Sequence, residues 1–259
     1  MGKKLDASVA KSLEMEGPLL PFVPELLKGM WSLGSAPNLV VDILGPLGLE
    51  ASSTKILDLG CGKGAVSITL ARDLGFHAVG IDACRPFLKE AESRAAEFGV
   101  SHLCRFELAD MRTYVKNAVD FDVVIFASVG GILGRFDRTV GYLRKTVRPG
   151  GYMVIDEGFV KGKKRLDRAG YEHLFPHRDT LEQLSSHGDR MLKEILMEEE
   201  IVEMNRVYMD VIRKNAQTLV KRNPEIREHV LDYIRNQEEE CEVIDKNFTG
   251  AVWLLQRTE

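Results

Sequence analysis

Short apolar runs alternate with longer amphipathic segments through the first two thirds of the chain. The runs lie at 55–59, 77–82, 103–108, 121–126 and 151–157 and are rich in Val, Ile, Leu and Phe. Runs of this length suit buried strands, and the segments between them suit helices. Strands that alternate with helices predict an α/β fold built on a parallel sheet.

The last third of the chain has a different pattern. From 198 to 247, apolar residues recur at three- and four-residue steps among many charged ones, which predicts helices. Strands are predicted at 190–197 and 250–257, and Ser35 is predicted to cap a helix that begins near Pro37. We therefore predict four regions: an N-terminal helical segment (1–50), a core (51–197), a helical insertion (198–247) and a last core strand (248–259).

The first strand runs into a glycine-rich turn. Asp58 lies near the end of the strand, Gly60, Gly62 and Gly64 occupy the turn, and a helical segment starts at Ala65. A turn of this kind brings the backbone close to a ligand and directs free N–H groups towards it. Its spacing, D-x-G-x-G-x-G, differs from the G-x-G-x-x-G fingerprint of dinucleotide-binding folds.

The next two strands are each followed or closed by a carboxylate. Asp82 closes the second strand, 22 positions after Gly60, and this separation suits an acid that accepts hydrogen bonds from ribose hydroxyls. Asp110 follows the third strand and precedes Met111. For each acid the alternative role is that of a helix N-cap, because a helical segment follows shortly afterwards.

Taken in order, these motifs resemble the class I S-adenosylmethionine (SAM)-dependent methyltransferases over residues 53–160, and an Arg-Pro-Gly-Gly turn at 148–151 adds a further match. The resemblance implies a Rossmann-like, seven-stranded, mostly parallel sheet with an antiparallel last strand and helices on both faces, here with a helical insertion. It also implies SAM as the cofactor. The residues expected to contact SAM are Asp58, Gly60, Cys61, Gly62, Asp82, Ala83, Asp110, Met111 and Phe126.

The carboxyl ends of strands four and five are the expected place for the methyl acceptor. An oxygen or nitrogen acceptor that must lose a proton needs a general base. Asp156 and Glu157, at the end of strand five, are the candidate catalytic residues, and His173 and His177 in the following loop are alternatives. The other interpretation of these residues is structural, as a polar strand end and an exposed loop.

Insertions at the position of residues 198–247 commonly form a lid over the acceptor in this family. The alternative is a dimerisation hairpin, so a homodimer stays open. We expect the insertion and the segment around 22–31 to meet over the ends of strands four and five, because ligand pockets are largely apolar. The expected pocket residues are Trp31, Ser128 and Tyr208.

Departures from related subfamilies narrow the acceptor. The loop after strand four reads Ala-Ser-Val-Gly at 127–130 and lacks the Asn/Asp-Pro-Pro-aromatic pattern of enzymes that methylate DNA bases or glutamine amides. Phe126 and Ala127 stand where catechol-type enzymes place a metal-binding Asp, so no metal site is predicted. The remaining resemblance is to small-molecule methyltransferases of the quinone-biosynthesis and sterol type.

Composition and charge set further limits. The 259 residues are 44% hydrophobic with a net charge of −4, and the longest basic cluster is the short stretch 161–165. Nucleic acid is therefore not an expected partner, since phosphate binding needs a broad basic surface. No stretch reaches the roughly 20 apolar residues of a membrane span. Without a signal peptide or C-x-x-C spacing among the four cysteines, we expect a cytoplasmic protein with free thiols.

Two other functions stay open. A nicotinamide-dependent oxidoreductase on a Rossmann fold is disfavoured by the glycine spacing and by Asp110 and Met111 after strand three. A SAM-binding regulatory or scaffolding protein is compatible with the same motifs, because methyl transfer can proceed without a diagnostic catalytic residue. The sequence favours a SAM-dependent methyltransferase that acts on a small molecule.

Overall fold

The structure, a computed structural model, describes residues 17–162, 166 and 168–259. The chain divides into two compact units. The sheet unit comprises Trp31–Leu196 and Gly250–Glu259, and the helical unit comprises the described residues up to Met30 together with Met197–Thr249. Residues 1–16 of the predicted N-terminal segment and residues 163–165 of the basic cluster lie outside the described residues.

The strands of the described residues are β1 (Lys55–Leu59), β2 (His77–Asp82), β3 (Cys104–Leu108), β4 (Phe121–Ala127), β5 (Val147–Val160), β6 (Arg190–Met197) and β7 (Phe248–Gln256). They form one sheet in the order β3-β2-β1-β4-β5-β7-β6. Strands β1 to β5 pair in parallel. Strand β7 is antiparallel to β5, because Arg257 just beyond its end bonds to Gly150 and Gly151 near the start of β5. The predicted fold class is confirmed.

The α-helices of the described residues are α1 (Val23–Leu26), α2 (Pro37–Leu44), α3 (Ala65–Leu74), α4 (Arg85–Glu97), α5 (Met111–Tyr114), α6 (Phe136–Thr146), α7 (His177–Leu184), α8 (Glu199–Arg222) and α9 (Arg227–Asn247). Helices α2 to α7 belong to the sheet unit, and α1, α8 and α9 belong to the helical unit.

The central strands are buried on both faces. Ile56, Leu57 and Leu59 of β1 have no exposed surface, and Val123–Ala127 of β4 is buried throughout. Continuous burial of this kind is typical of parallel strands covered by helices. Because β1 to β4 are parallel, their carboxyl ends lie along one edge of the sheet, where open α/β folds bind ligands.

In the helical unit, α8 and α9 form an antiparallel pair. Asn205 near the start of α8 donates to Asp245 near the end of α9 at 2.7 Å. Asn215 of α8 donates to the carbonyl oxygens of Leu26 and Lys28 at 2.9 and 2.8 Å. Leu26 and Lys28 therefore contact the predicted insertion. Its placement over the strand ends stays a prediction.

The predicted cap of α2 is wrong. The helix begins after Ala36, and no side chain caps it. The Ser35 hydroxyl instead donates to the carbonyl oxygen of Ser32 at 2.7 Å. Residues 32–35 therefore form a tight turn before the helix.

The predicted end of strand five is also wrong. Strand β5 continues past Glu157 to Val160, because the Val160 N–H donates to the Phe175 carbonyl oxygen at 3.0 Å and the segment before α7 extends the pairing. Asp156 is nevertheless at the ligand edge, since it pairs with Ala127, the last residue of β4.

Candidate functional site

The glycine-rich turn after β1 is a left-handed stretch of backbone. Gly60, Gly62 and Gly64 have φ angles of 76°, 52° and 75°, a region that costs other residues about 1–2 kcal/mol each. A Cβ on Gly60 would lie 2.2 Å from Val129 Cγ1 and 2.8 Å from Met111 Cε. The turn therefore needs glycine for its conformation and, at Gly60, also for space.

The N–H groups of this turn are bonded within the protein. Gly60 and Cys61 donate to the Ile81 carbonyl oxygen at 2.7 and 3.0 Å, and Gly62 donates to Asp82 Oδ2 at 2.9 Å. The expectation of free N–H groups is therefore wrong for these three residues, because the turn packs directly on the end of β2.

Asp82 lies at the end of β2 and beside the glycine turn. Its Oδ2 accepts from Gly62 N, and its Oδ1 accepts from Cys84 N at 2.7 Å. The Ala83 N–H is a third backbone donor to this carboxylate, so about one of its roughly four acceptor positions remains for a ligand hydroxyl. Burial raises the pKa of Asp82, and the N–H donors of Cys84 and Gly62 act in the opposite direction.

Asp58 is buried beneath the turn. Only 2% of it is exposed, and Ser67 Oγ of α3 donates to its Oδ2 at 2.6 Å. Burial raises its pKa to about 6, against the lowering effect of the Ser67 hydroxyl. Asp58 therefore ties the first turn of α3 to β1, and its contact with a cofactor stays a prediction.

The residues after β3 reach the same turn. Met111 Cε approaches the position of a Gly60 Cβ, which suits its expected place in an apolar ligand wall. Asp110 caps α5 by accepting from Arg112 N at 2.9 Å, and the Arg112 guanidinium, 2.6 Å away, lowers its pKa. The alternative role of Asp110 as an N-cap is therefore observed, and a role towards an adenine amino group stays a prediction.

Two other predicted cofactor residues face the interior. Phe126 is 2% exposed and pairs with Leu59 across β4 and β1. Cys61 is buried, its Sγ would lie 2.8 Å from a Cβ on Gly80, and burial raises its pKa. A further predicted cofactor residue, Ala83, is half-buried and directly follows Asp82. These residues support the turn from within, and their contact with a ligand stays a prediction.

The second part of the site is the edge where β4 meets β5. Ser128 N donates to the Asp156 carbonyl oxygen at 2.8 Å, and Gly130 N donates to Glu157 Oε2 at 3.2 Å. Ser128 has a φ angle of 51°, which is left-handed for a residue other than glycine. Strain of this kind concentrates at functional sites. The two predicted catalytic residues thus hold the loop after β4.

Asp156 and Glu157 have different partners. Asp156 is 2% exposed, and its Oδ2 accepts from the Ala36 N–H at 2.8 Å. Burial raises its pKa to about 7, against the lowering effect of that donor. Glu157 Oε2 instead lies 3.9 Å from Nε2 of His173.

His173 is a buried ring with unused polar atoms. It is 6% exposed, and among the described residues neither of its ring nitrogens has a hydrogen-bond partner. Its Nδ1 would lie 2.7 Å from a Cβ on Gly131, so the ring packs against the loop after β4. Buried polar groups without partners are uncommon in folded proteins. His177 differs, since its Nε2 bonds to Glu194 at 2.9 Å.

The segment Trp31–Ala36, which we call the strap, joins the two parts of the site. At one end, Trp31 Nε1 donates to the Lys63 carbonyl oxygen in the glycine turn at 3.0 Å. At the other end, Ala36 N donates to Asp156. The sequence predicted only a helix cap in this segment, at Ser35, and no local pattern identified partners so distant in the chain.

The predicted pocket residues lie in different places. The Trp31 ring stacks on Phe98 with 5.3 Å between centroids, Ser128 follows β4, and Tyr208 lies on α8 in the helical unit. Their joint role in a pocket stays a prediction.

Residues 17–162, 166 and 168–259 contain neither a membrane-spanning helix nor a cluster of metal-binding side chains. No helix in this part of the chain is long and apolar enough to cross a membrane. The same residues contain no group of three or more His, Cys, Asp or Glu side chains placed to hold a metal ion.

A family model described as a methyltransferase domain matches residues 50–223. The match covers more than half of the chain, so the chain belongs to this methyltransferase-domain family. The family predicted from the motifs is confirmed.

Two curated relatives match parts of the chain. YjhP from Escherichia coli K12, an uncharacterized protein, is 39% identical over 106 residues, which are 41% of this chain and 42% of YjhP. Phosphoethanolamine N-methyltransferase 1 from Arabidopsis thaliana is 28% identical over 170 residues, 64% of this chain and 33% of that protein. The chain thus spans less than half the length of either relative.

Solved structures share the fold. A SAM-dependent methyltransferase from Thiobacillus denitrificans, in complex with S-adenosyl-L-homocysteine (SAH), matches with a TM-score of 0.76. The match covers 90% of this chain and 97% of that one at 21% identity. At this identity the likeness establishes the fold.

Proposed function

We propose that the chain is a SAM-dependent methyltransferase that acts on a small-molecule acceptor. Asp82 carries the proposal, because it lies at the end of β2 beside the glycine turn and its carboxylate keeps an acceptor position for a ribose hydroxyl. The methyltransferase-domain match and the SAH bound in the Thiobacillus denitrificans structure support the same cofactor.

The mechanism rests on positioning. When SAM is bound, its methyl group is attached to a sulfonium and is already electrophilic. The residues of this chain therefore bind the two reactants, orient them and exclude water. This is catalysis by proximity. We call the glycine turn with Asp82 and Met111 the cofactor side, and the loop after β4 with Glu157 and His173 the acceptor side.

An amine or hydroxyl acceptor must lose a proton during transfer. His173 with Glu157 is the first candidate proton acceptor, because the ring nitrogens have no other hydrogen-bond partner among the described residues. Asp156, the other candidate, already accepts from Ala36 N. The Arabidopsis relative is named for an amine substrate, which makes amines the first acceptor class to test.

The helical unit belongs to the same proposal. We propose that the α8–α9 pair is a lid and that Tyr208 lines the acceptor pocket. Tyr208→Ala should then lower turnover at least tenfold and leave the Kd for SAM within twofold. Unchanged turnover would favour the alternative use of the hairpin in a homodimer. A cytoplasmic location is part of the proposal.

Calorimetry tests the cofactor first. SAM and SAH should bind the full chain, and NAD should not. A nicotinamide-dependent oxidoreductase would give the opposite result. Turnover of SAM with a panel of amines, phenols and thiols then separates a methyltransferase from a regulatory protein, which would bind SAH and turn over no acceptor.

A further inference from the structure

The strap contacts the glycine turn through a strained residue. Leu33 has a φ angle of 48°, and its Cδ1 would lie 3.0 Å from a Cβ on Gly62. The next residue, Gly34, lies beside Ser128, whose side-chain Cβ would be 3.6 Å from a Cβ on Gly34. Strained backbone persists only where the surrounding contacts hold it in place. The strap must therefore be fastened at its ends.

Asp156 fastens one end. It follows Met153, Val154 and Ile155, which have no exposed surface, and it is 2% exposed itself. A buried carboxylate is costly unless it is hydrogen-bonded. Its Oδ2 accepts from the N–H of Ala36, the last residue of the strap, at 2.8 Å. An apolar residue would fill this position in β5 at lower cost, so packing alone does not account for the acid.

The path of the strap links this contact to the ligand. The strap begins at the Lys63 carbonyl oxygen in the glycine turn and ends at the β4–β5 edge. In between, Leu33 lies against Gly62, the residue whose N–H donates to Asp82. The strap therefore runs along the turn that the proposed cofactor occupies.

We propose that Asp156 is a positioning residue that holds the strap against the cofactor side and thereby slows the exchange of SAM and SAH. The inference rests on the proposed function for the identity of the ligand. It gives Asp156 a role that needs a hydrogen-bond acceptor and no proton transfer.

SAH dissociation, followed by stopped-flow fluorescence, tests the proposal. Of the two tryptophans, Trp31 lies in the strap and Trp253 is fully buried, so Trp31→Phe should remove the signal. Asp156→Ala deletes the acceptor for Ala36 N and should raise the dissociation rate of SAH at least tenfold. Asp156→Asn keeps an acceptor oxygen and should stay within threefold of the wild type.

Asp189→Ala is the control. Asp189 is another buried acid of the sheet unit; its Oδ1 accepts from the backbone N–H of Thr258 at 3.1 Å, and its Oδ2 accepts from Arg144 Nε at 3.0 Å. Its loss should leave SAH dissociation unchanged. Equal rates for Asp156→Ala and the wild type would overturn the proposal, and so would an Asp156→Asn rate as high as that of Asp156→Ala.

Hydrogen exchange at the Ala36 amide gives a second measurement without ligand. Asp156→Ala should speed this exchange at least tenfold, and Asp189→Ala should not. Unchanged protection of Ala36 in Asp156→Ala would overturn the proposal even where SAH binding is too weak to follow. A wild-type protein that binds no SAH would contradict the proposed function itself, and the Ala36 exchange would still test the contact.

Discussion

The two sides of the proposed site are formed by different kinds of chemical group. On the cofactor side, glycines with positive φ and backbone N–H groups shape a turn that lies within residues 58–82. On the acceptor side, the side chains of Asp156, Glu157 and His173 meet the loop after β4 and the strap. The first side is fixed by local backbone geometry. The second depends on ionisable groups and partners from remote segments.

The buried acids show the same difference. Asp58 accepts from Ser67, nine positions later in the same strand–turn–helix unit. Asp156 accepts from Ala36, 120 positions earlier. Local partners fix the position of Asp58, whereas the position of Asp156 depends on the packing of the whole sheet unit.

The largest expected effect is that of Gly60→Ala on the cofactor side, compared with Gly130→Ala on the acceptor side. Gly60→Ala places a Cβ 2.2 Å from Val129 Cγ1 at a φ of 76°, and we expect it to lower the free energy of unfolding by about 4 kcal/mol and to abolish SAM binding. Gly130 has a φ of 62° with nothing within 4 Å of its Cβ position, so Gly130→Ala should lose only about 1 kcal/mol. Urea unfolding measures both, and equal losses would break the comparison.

The pH dependence of stability distinguishes the two buried acids. Burial raises the pKa of Asp58 from 3.8 to about 6, so the folded protein holds this proton more tightly than the unfolded chain. Stability therefore falls as pH rises from about 4 to about 6, by up to about 3 kcal/mol, and then levels off. Asp58→Asn should remove this part of the fall.

For Asp156, whose pKa is raised to about 7, the fall should extend to about pH 7, and Asp156→Asn should remove it over that wider range. Urea unfolding between pH 4 and 8 checks both variants. A wild-type stability that rises over the acid range relative to either variant would contradict the sign.

Cofactor affinity should depend on Asp82 and not on Glu157. Asp82→Ala removes the expected acceptor of the ribose hydroxyls and the partner of Gly62 N. A charged hydrogen bond is worth about 1.5–3 kcal/mol, so the Kd for SAM should rise about 10- to 100-fold in calorimetry. Glu157→Gln on the acceptor side should leave this Kd within threefold. A larger effect of Glu157→Gln would show that the two sides are coupled.

Features that are local in the sequence could be predicted. The strand, the glycine spacing and the helix start at Ala65 lie within a dozen residues, and the structure has them as expected. The partners of the turn could not be predicted, because the Ile81 carbonyl oxygen reaches Gly60 and Cys61 only through the pairing of β1 with β2. The glycine pattern shows the shape of the turn and not what its N–H groups contact.

The acceptor side was less predictable for the same reason. The sequence indicated Asp156 and Glu157 as acids near a strand end, but not that β5 continues to Val160. It placed His173 in a loop, whereas the ring is buried against Gly131. Hydrophobic periodicity carries no signal for which backbone N–H a buried acid accepts, so the strap was missed.

The smallest expected effect comes from relieving strain on each side. Ser128 has a φ of 51°, and glycine adopts this angle without strain, so Ser128→Gly should stabilise the folded state by about 1 kcal/mol. The greater conformational entropy of the unfolded chain offsets most of this gain. We expect the free energy of unfolding to change by no more than about 0.5 kcal/mol and the Kd for SAM to stay unchanged.

Leu33→Gly relieves the same kind of strain at a φ of 48° but removes the contact with Gly62, so it should weaken SAH binding several-fold. If both variants bind SAH like the wild type, the strap does not act on the cofactor side. If Ser128→Gly weakens binding as much as Leu33→Gly, the two sides are not separable.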